Sequence, residues 1–314
     1  MNALVISGGG NKGAYAGGVA EFLVKKCKME YDVVVGTSTG GLLAPLVAIG
    51  EIDKLKATFT RVTQKDIFKI CPFIIKKKRE GYQTAINHLG IVRMFLRGKK
   101  TFGDSCHLKQ LIRHTFTADD FRRLRASGKR VIVTVANLTN EVIEYKSSDE
   151  YDYDAFCDWI WASANMLPFM SLYEKDGCEY GDGGFGNLIP IQKAINLGAT
   201  FIDVIALRPE MRVISSPPSR NAFHVLSKTY DFMLNQIGLD DLLIGQLEAA
   251  HKRVDMQFYH TPRILTGQNF IFDPVLLKAW WEEGYEVALK STPKTHCLKP
   301  SKTARPAGEE KAEI

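Results

Sequence analysis

The chain has 314 residues, 45% of them hydrophobic and 24% charged, which is the balance of a globular protein long enough to bury a large core unaided. Its six cysteines show no C-x-x-C spacing for a metal knuckle, and a chain this long needs no disulfide framework. They read as small buried apolar residues in a reducing compartment. The net charge is +6, but residues 51–130 carry 20 Lys and Arg against 7 Asp and Glu, a local +13 that leaves the remainder at −7.

The amino terminus has neither a basic leader nor an apolar run of signal-peptide length, and residues 2–7 predict a buried strand entering Gly8-Gly9-Gly10. A helix is expected over about Gly13–Lys28. Tyr31–Val35 predicts a second strand, followed by Gly36-Thr37-Ser38-Thr39-Gly40-Gly41 and another helix. Val33–Gly50 holds no charge, yet its β-branched start and Gly-rich middle fit a buried strand–turn–helix better than a transmembrane span. Two strand–turn–helix units in succession predict a parallel sheet with helices on its faces. Residues 51–130 read as polar and helical, with breaks at Pro72, Gly81, Gly90, Gly98 and Gly103. Val131–Val135 predicts a strand with Val142–Tyr145 as its antiparallel partner, and Phe156–Asn165 an apolar helix. A turn at Asp176-Gly177 joins Phe169–Tyr173 to Cys178–Tyr180 as a hairpin. Residues 190–197 and Phe201–Leu207 add a helix and a strand. Helices are expected through most of 217–253 and over about Asp273–Leu289. Ser301–Ile314 has almost no large apolar residue and predicts a disordered tail.

Gly36-Thr37-Ser38-Thr39-Gly40 fits G-x-S-x-G, the nucleophile elbow. A serine on a sharp strand-to-helix turn projects its hydroxyl above the sheet, near the positive end of the following helix. The plainer alternative is a turn residue or helix cap. Gly8-Gly9-Gly10-Asn11-Lys12-Gly13 supports two readings. It satisfies G-x-G-x-x-G, which would make the protein a nucleotide-dependent oxidoreductase. That requires an acid at the carboxyl end of the second strand, where this chain has Gly36-Thr37-Ser38; Asp32 sits at the strand's start. In the second reading the loop amides form an oxyanion hole. Neighbouring parallel strands would bring this loop and Ser38 to one edge of the sheet.

Serine needs a base. Asp182 lies in Tyr180-Gly181-Asp182-Gly183-Gly184, where Gly183 and Gly184 permit close approach; otherwise it is a tight-turn aspartate. Of seven histidines only His224, His251, His260 and His296 follow Asp182, as a Ser…Asp…His order requires, and none has a comparable Gly-rich setting. A Ser38–Asp182 dyad is preferred and a triad stays open.

These segments together resemble the patatin-like phospholipase family: Gly8–Gly13, Gly36–Gly40, Asp182-Gly183-Gly184, and the stretch Ala162-Ser163-Ala164-Asn165-Met166-Leu167-Pro168. Lys12 stands where many members have arginine. The resemblance implies an α/β three-layer sandwich with a central, mostly parallel sheet and helices on both faces. It implies hydrolysis of phospholipid or other acyl-ester lipids by Ser38 as nucleophile and Asp182 as base. It also implies an oxyanion hole at Gly8, Gly9, Gly10, Asn11, Lys12 and Gly13, an elbow at Gly36, Thr37, Thr39 and Gly40, and no metal or organic cofactor. A transacylase would use the same residues, and a silent lipid-binding module could keep the scaffold. The expected organisation is one catalytic domain over 1–300, with 51–130 as a basic cap-like region and 301–314 as a tail. Phe73, Ile74 and Ile75, followed by Lys76-Lys77-Lys78-Arg79, suggest peripheral contact with an anionic membrane. No nucleic-acid partner is expected, and the missing export signals point to the cytoplasm.

Overall fold

The computed structural model describes residues 1–79, 81–210, 218–219, 222–293 and 296–298. Strand β1 (Asn2–Ile6) has Ala3 to Ile6 fully buried, as an internal parallel strand covered on both faces requires. A short 3₁₀ turn leads into α1 (Gly13–Glu21), which runs on as a π-helical stretch to Lys26. Strand β2 (Val33–Thr37) is buried throughout and turns at Ser38 into α2 (Thr39–Ala48). Next come α3 (Ile52–Phe59), α4 (Gln64–Ile67), a hairpin of β3 (Phe73–Lys78) and β4 (Gly81–Ile86), and then α5 (His88–Leu96), α6 (Cys106–Thr115) and α7 (Ala118–Ala126). The second half contains β5 (Arg130–Asn137), β6 (Val142–Ser147), α8 (Tyr153–Ser163), β7 (Tyr173–Lys175), β8 (Cys178–Asp182), α9 (Ile191–Asn196) and β9 (Phe201–Ala206). It closes with α10 (Ala222–Lys252), β10 (Asp255–His260) and α11 (Pro274–Ser291).

Eight strands form one sheet in the order β10-β9-β1-β2-β5-β8-β7, with β6 also paired to β5. The run from β10 to β5 is parallel; the β5–β6, β5–β8 and β7–β8 pairings are antiparallel. Because strand side chains alternate between faces, the sheet separates two cores. Leu4, Ile6 and Val34 pack against α1, α2, α8 and α11, whereas Ala3, Val5, Val33 and Val35 pack against α9 and the end of α10. The result is the expected three-layer α/β arrangement with a mostly parallel sheet.

Three details depart from the sequence reading. Residues 73–86 form a hairpin inside the region read as helical. Asp255–His260, unassigned from sequence, adds an edge strand parallel to β9. Cys27 and Cys297, read as buried thiols, are joined in a disulfide across 270 residues, a separation at which spacing carries no signal. The tail expected at 301–314 lies outside the described residues. Among the described residues, no helix is long and apolar enough to cross a membrane.

Candidate active site

The site is assembled by the register on β5. One edge of β5 pairs with β6 from Ile132 to Asn137. The other edge pairs with β2 as far as Thr37↔Thr134 and is then taken over by β8, beginning at Asp182↔Val135. Consecutive residues of β5 therefore hold the end of β2 and the end of β8. Ser38, the next residue after Thr37, faces Asp182 although 144 positions separate them.

Ser38 has φ 55° and ψ −121°, a conformation that side-chain-bearing residues rarely adopt. Its neighbours make that turn feasible. A Cβ on Gly36 would lie 2.4 Å from the Gly40 carbonyl group, and one on Gly40 would lie 2.1 Å from the Ile6 carbonyl oxygen. Only hydrogen atoms fit at those two places. The Ser38 N–H donates to Ser163 Oγ at 3.1 Å, which pins the turn to the end of α8. Thr37 donates its hydroxyl to the Asn187 carbonyl at 3.0 Å, and Thr39 is buried at the start of α2.

Ser38 Oγ donates to Asp182 Oδ2 at 2.6 Å. Asp182 Oδ1 accepts the Gly184 N–H at 2.8 Å, and the Asp182 N–H donates to the Asn165 carbonyl at 3.0 Å. Asp182 is 1% exposed. Burial penalises its charged form and pushes its pKa up to about 7, against the hydrogen bonds from Ser38 and Gly184 that favour the anion. A carboxyl group poised there can accept a proton near neutral pH. Gly183 lies directly against Thr134 of β5, which fixes the start of the aspartate loop.

The glycine loop lies beside this pair: a Cβ on Gly8 would stand 3.3 Å from that of Ser38. Its amides are unequally committed. Gly8 N–H donates to the Leu188 carbonyl at 3.0 Å, Asn11 N–H to the Asn269 carbonyl at 3.1 Å, and Lys12 N–H to the Gly9 carbonyl at 3.2 Å. The Gly13 N–H closes the 3₁₀ turn onto Asn11 and Gly10. Among the described residues, the Gly9 and Gly10 amides take no protein acceptor. Asn11 acts through its side chain, donating to the Gln268 and Ile271 carbonyls at 3.0 and 2.7 Å and so tying the loop to the segment before α11.

Two supporting residues were given no role from the sequence, although Asn165 lies in the Ala162–Pro168 stretch. Asn165 holds the Asp182 backbone, and its side-chain oxygen accepts the Ser105 hydroxyl at 2.6 Å. Asp241 of α10 accepts the N–H groups of Leu188 and Ile189 at 2.7 and 2.8 Å, and Leu188 in turn holds Gly8. Only the packing of α10 on the sheet brings Asp241 there.

Ser38 and Asp182 both line a cavity of about 550 Å³ whose wall is largely apolar, including Leu46, Leu55, Ile112, Met170 and Phe270. Lys12, Arg208, Lys228 and Asp231 supply its charged part. No described histidine side chain lines it. His260 stacks on Phe258, and His296 Nε2 lies 3.1 Å from Asp203. The dinucleotide reading loses its anchor as well, since Asp32 accepts the Asn2 N–H at 2.7 Å, at the opposite end of β1 from the glycine loop.

A sequence profile of the patatin-like phospholipase family matches residues 4–195, a span that includes the glycine loop, the elbow and Asp182-Gly183-Gly184. The chain belongs to the patatin-like phospholipase family. Among solved structures the chain is similar to VipD from Legionella pneumophila, at 15% identity and a TM-score of 0.49, over 92% of this chain. It spans 66% of that chain, just under two thirds of its length. No curated protein is matched.

Proposed function

We propose that the protein is a serine lipid acyl hydrolase of the phospholipase A or lysophospholipase type, working through a Ser38–Asp182 dyad. The observation that carries this reading is the 2.6 Å contact between the Ser38 hydroxyl and the buried Asp182 carboxylate at the wall of an apolar cavity. Asp182 takes the Ser38 proton as Oγ bonds to the acyl carbonyl carbon. The carbonyl oxygen becomes an oxyanion facing the Gly9 and Gly10 amides and the amino end of α2, where both partial positive charge and fixed donors stabilise it. The intermediate collapses by expelling the alcohol, which carries away the proton held by Asp182. Water then gives a proton to Asp182 and attacks the acyl-enzyme, and Asp182 returns that proton to the departing Ser38 Oγ as the fatty acid is released.

The cavity suits an acyl chain because burying methylene groups there yields about 0.8 kcal/mol each. Residues 51–130 act as its cap in this scheme: Leu55, Phe59, Phe73, Ile75, Leu108 and Ile112 all come from that region and line the wall. The oxyanion assignment narrows from the whole Gly8–Gly13 loop to Gly9 and Gly10, because the other amides are occupied.

The test is mass spectrometry of products from mixed phospholipids. The parent chain should release free fatty acid and lysolipid, and Ser38→Ala and Asp182→Asn should release neither. A fluorophosphonate should label the parent at Ser38. Transfer of the acyl group to an alcohol instead of water would make the protein a transacylase, and activity surviving in Asp182→Asn would remove the dyad.

A further inference from the structure

Helix α5 reverses the usual pattern of a surface helix. Leu89 and Leu96 are 86% and 84% exposed, and Val92 and Phe95 are also exposed, while Met94 is its buried contact with the fold. Leu89, Val92 and Leu96 fall at i, i+3 and i+7, so they share one face, with Phe95 beside them. Nine residues span roughly 14 Å, so this is a short, dense apolar ridge facing water.

The charge around the ridge has one sign. Residues 73–100 contain eight Lys and Arg and one acid, Glu80. Lys77 is engaged with Asp273, and Lys100 with Glu174 and Glu179. Lys76, Lys78, Arg79, Arg93, Arg97 and Lys99 are exposed and have no carboxylate partner among the described residues. Arg93 lies on α5 and Arg97 and Lys99 follow it directly, and an apolar ridge flanked by cations complements a surface with anions outside and hydrocarbon beneath.

The ridge also connects to the cavity. Phe95 contacts Phe102 and Phe102 contacts Phe169, each at 6.2 Å between ring centroids, and Phe169 contacts Tyr230 at 5.8 Å. Phe169 and Tyr230 line the cavity that holds Ser38. A continuous row of rings therefore runs from the outer face of α5 to the site. The sequence reading had assigned interfacial contact to Phe73, Ile74 and Ile75. Phe73 and Ile75 face the cavity instead, and only Ile74 is exposed.

We propose that the α5 ridge, with Arg93, Arg97 and Lys99, is the surface by which the protein docks on an anionic lipid bilayer. This deepens the acyl-hydrolase reading, and rests on it, by locating where a lipid substrate enters. The Ser38→Ala chain, which turns over no lipid, is sedimented with vesicles of phosphatidylcholine alone or with a one-third share of phosphatidylglycerol. Binding should favour the anionic vesicles and weaken as salt rises. Leu89→Ser with Leu96→Ser should lower the partition coefficient at least roughly tenfold. Arg93→Glu with Arg97→Glu should abolish the preference for phosphatidylglycerol. Melting temperature checks folding; should the leucine variant not fold, the charge variant decides alone. Leucine variants that bind like the parent, or equal binding of the parent to both vesicles, would overturn the proposal. So would a parent dimer that the leucine changes convert to monomer, since a second copy would then own the ridge. Because binding is read without turnover, an inactive parent enzyme would sink the hydrolase reading while leaving this result intact.

Discussion

Asp182 and Asp203 are both buried carboxylates on one sheet, and the fold treats them in opposite ways. Asp203, in the middle of β9, accepts the Tyr31 hydroxyl at 2.7 Å and faces His296 Nε2 at 3.1 Å, with the Tyr259 hydroxyl 3.4 Å from the same nitrogen. Asp182, at the end of β8, accepts one serine hydroxyl and one backbone N–H, and no cation stands beside it among the described residues. Burial costs a charge dearly unless partners compensate. Asp203 is ringed by Tyr31, Tyr259 and His296 and belongs to the framework. Asp182 is left short, and its pKa rises to about 7, the condition under which a carboxyl group can exchange protons during a reaction.

The largest effect expected from this contrast is on turnover. Ser38→Ala and Asp182→Asn should each lower kcat/KM for a phospholipid or p-nitrophenyl ester by at least roughly a thousandfold. Asp203→Asn should stay within roughly fivefold of the parent. A dead Asp203→Asn with a working Asp182→Asn would invert the assignment. In the parent, kcat/KM should rise about tenfold per pH unit up to about pH 7 and level off above it, since the base must be ionised. Stability should run the other way. The native state holds the Asp182 proton more tightly than the unfolded chain does, so ionisation between pH 3.8 and about 7 weakens the fold. Asp182→Asn should therefore melt above the parent at pH 8 and alongside it near pH 4. Identical melting curves at both pH values would mean that Asp182 is not held under strain.

The candidate-site half of this contrast was legible in the sequence because its signals are local. Gly36 and Gly40 flank Ser38 in one five-residue pattern, and Gly183 and Gly184 follow Asp182 directly. What brings Ser38 and Asp182 together is the hand-over from β2 to β8 along one edge of β5, and no single segment encodes a register between three strands. The framework half was illegible. Asp203 sits within the apolar run Phe201–Ala206, and its partners Tyr31, Tyr259 and His296 come from distant segments. The hairpin at 73–86 was hidden for another reason: Lys76-Lys77-Lys78-Arg79 lacks alternation, so the exposed half of β3 looks like any solvated polar stretch.

The next effect is on the framework. His296→Ala removes the imidazole nitrogen 3.1 Å from the fully buried Asp203 and should cost about 2 kcal/mol of stability. Denaturant unfolding reads the loss, and ester turnover per folded molecule should not change. A loss of turnover without a loss of stability would place His296 in the chemistry after all and revive the triad.

The smallest effect tests a third, half-buried acid, Asp241. Asp241 has its pKa pushed up to about 6 by burial, yet it neither hydrogen-bonds Ser38 nor lines the cavity itself; it holds the amides of Leu188 and Ile189, which do line it, and Leu188 holds Gly8. Its work is to accept two N–H bonds, and an amide oxygen can do that as well as a carboxylate. Asp241→Asn should therefore keep kcat within roughly twofold. Asp241→Leu frees the Leu188 segment and, through it, the glycine loop, and should lower kcat about tenfold with little change in KM, as loosened oxyanion donors would. An equal loss in both variants would show that the charge matters rather than the hydrogen bonds. Asp241 would then sit with Asp182, among the acids kept ready to titrate, instead of with Asp203 among those that only hold the fold in place.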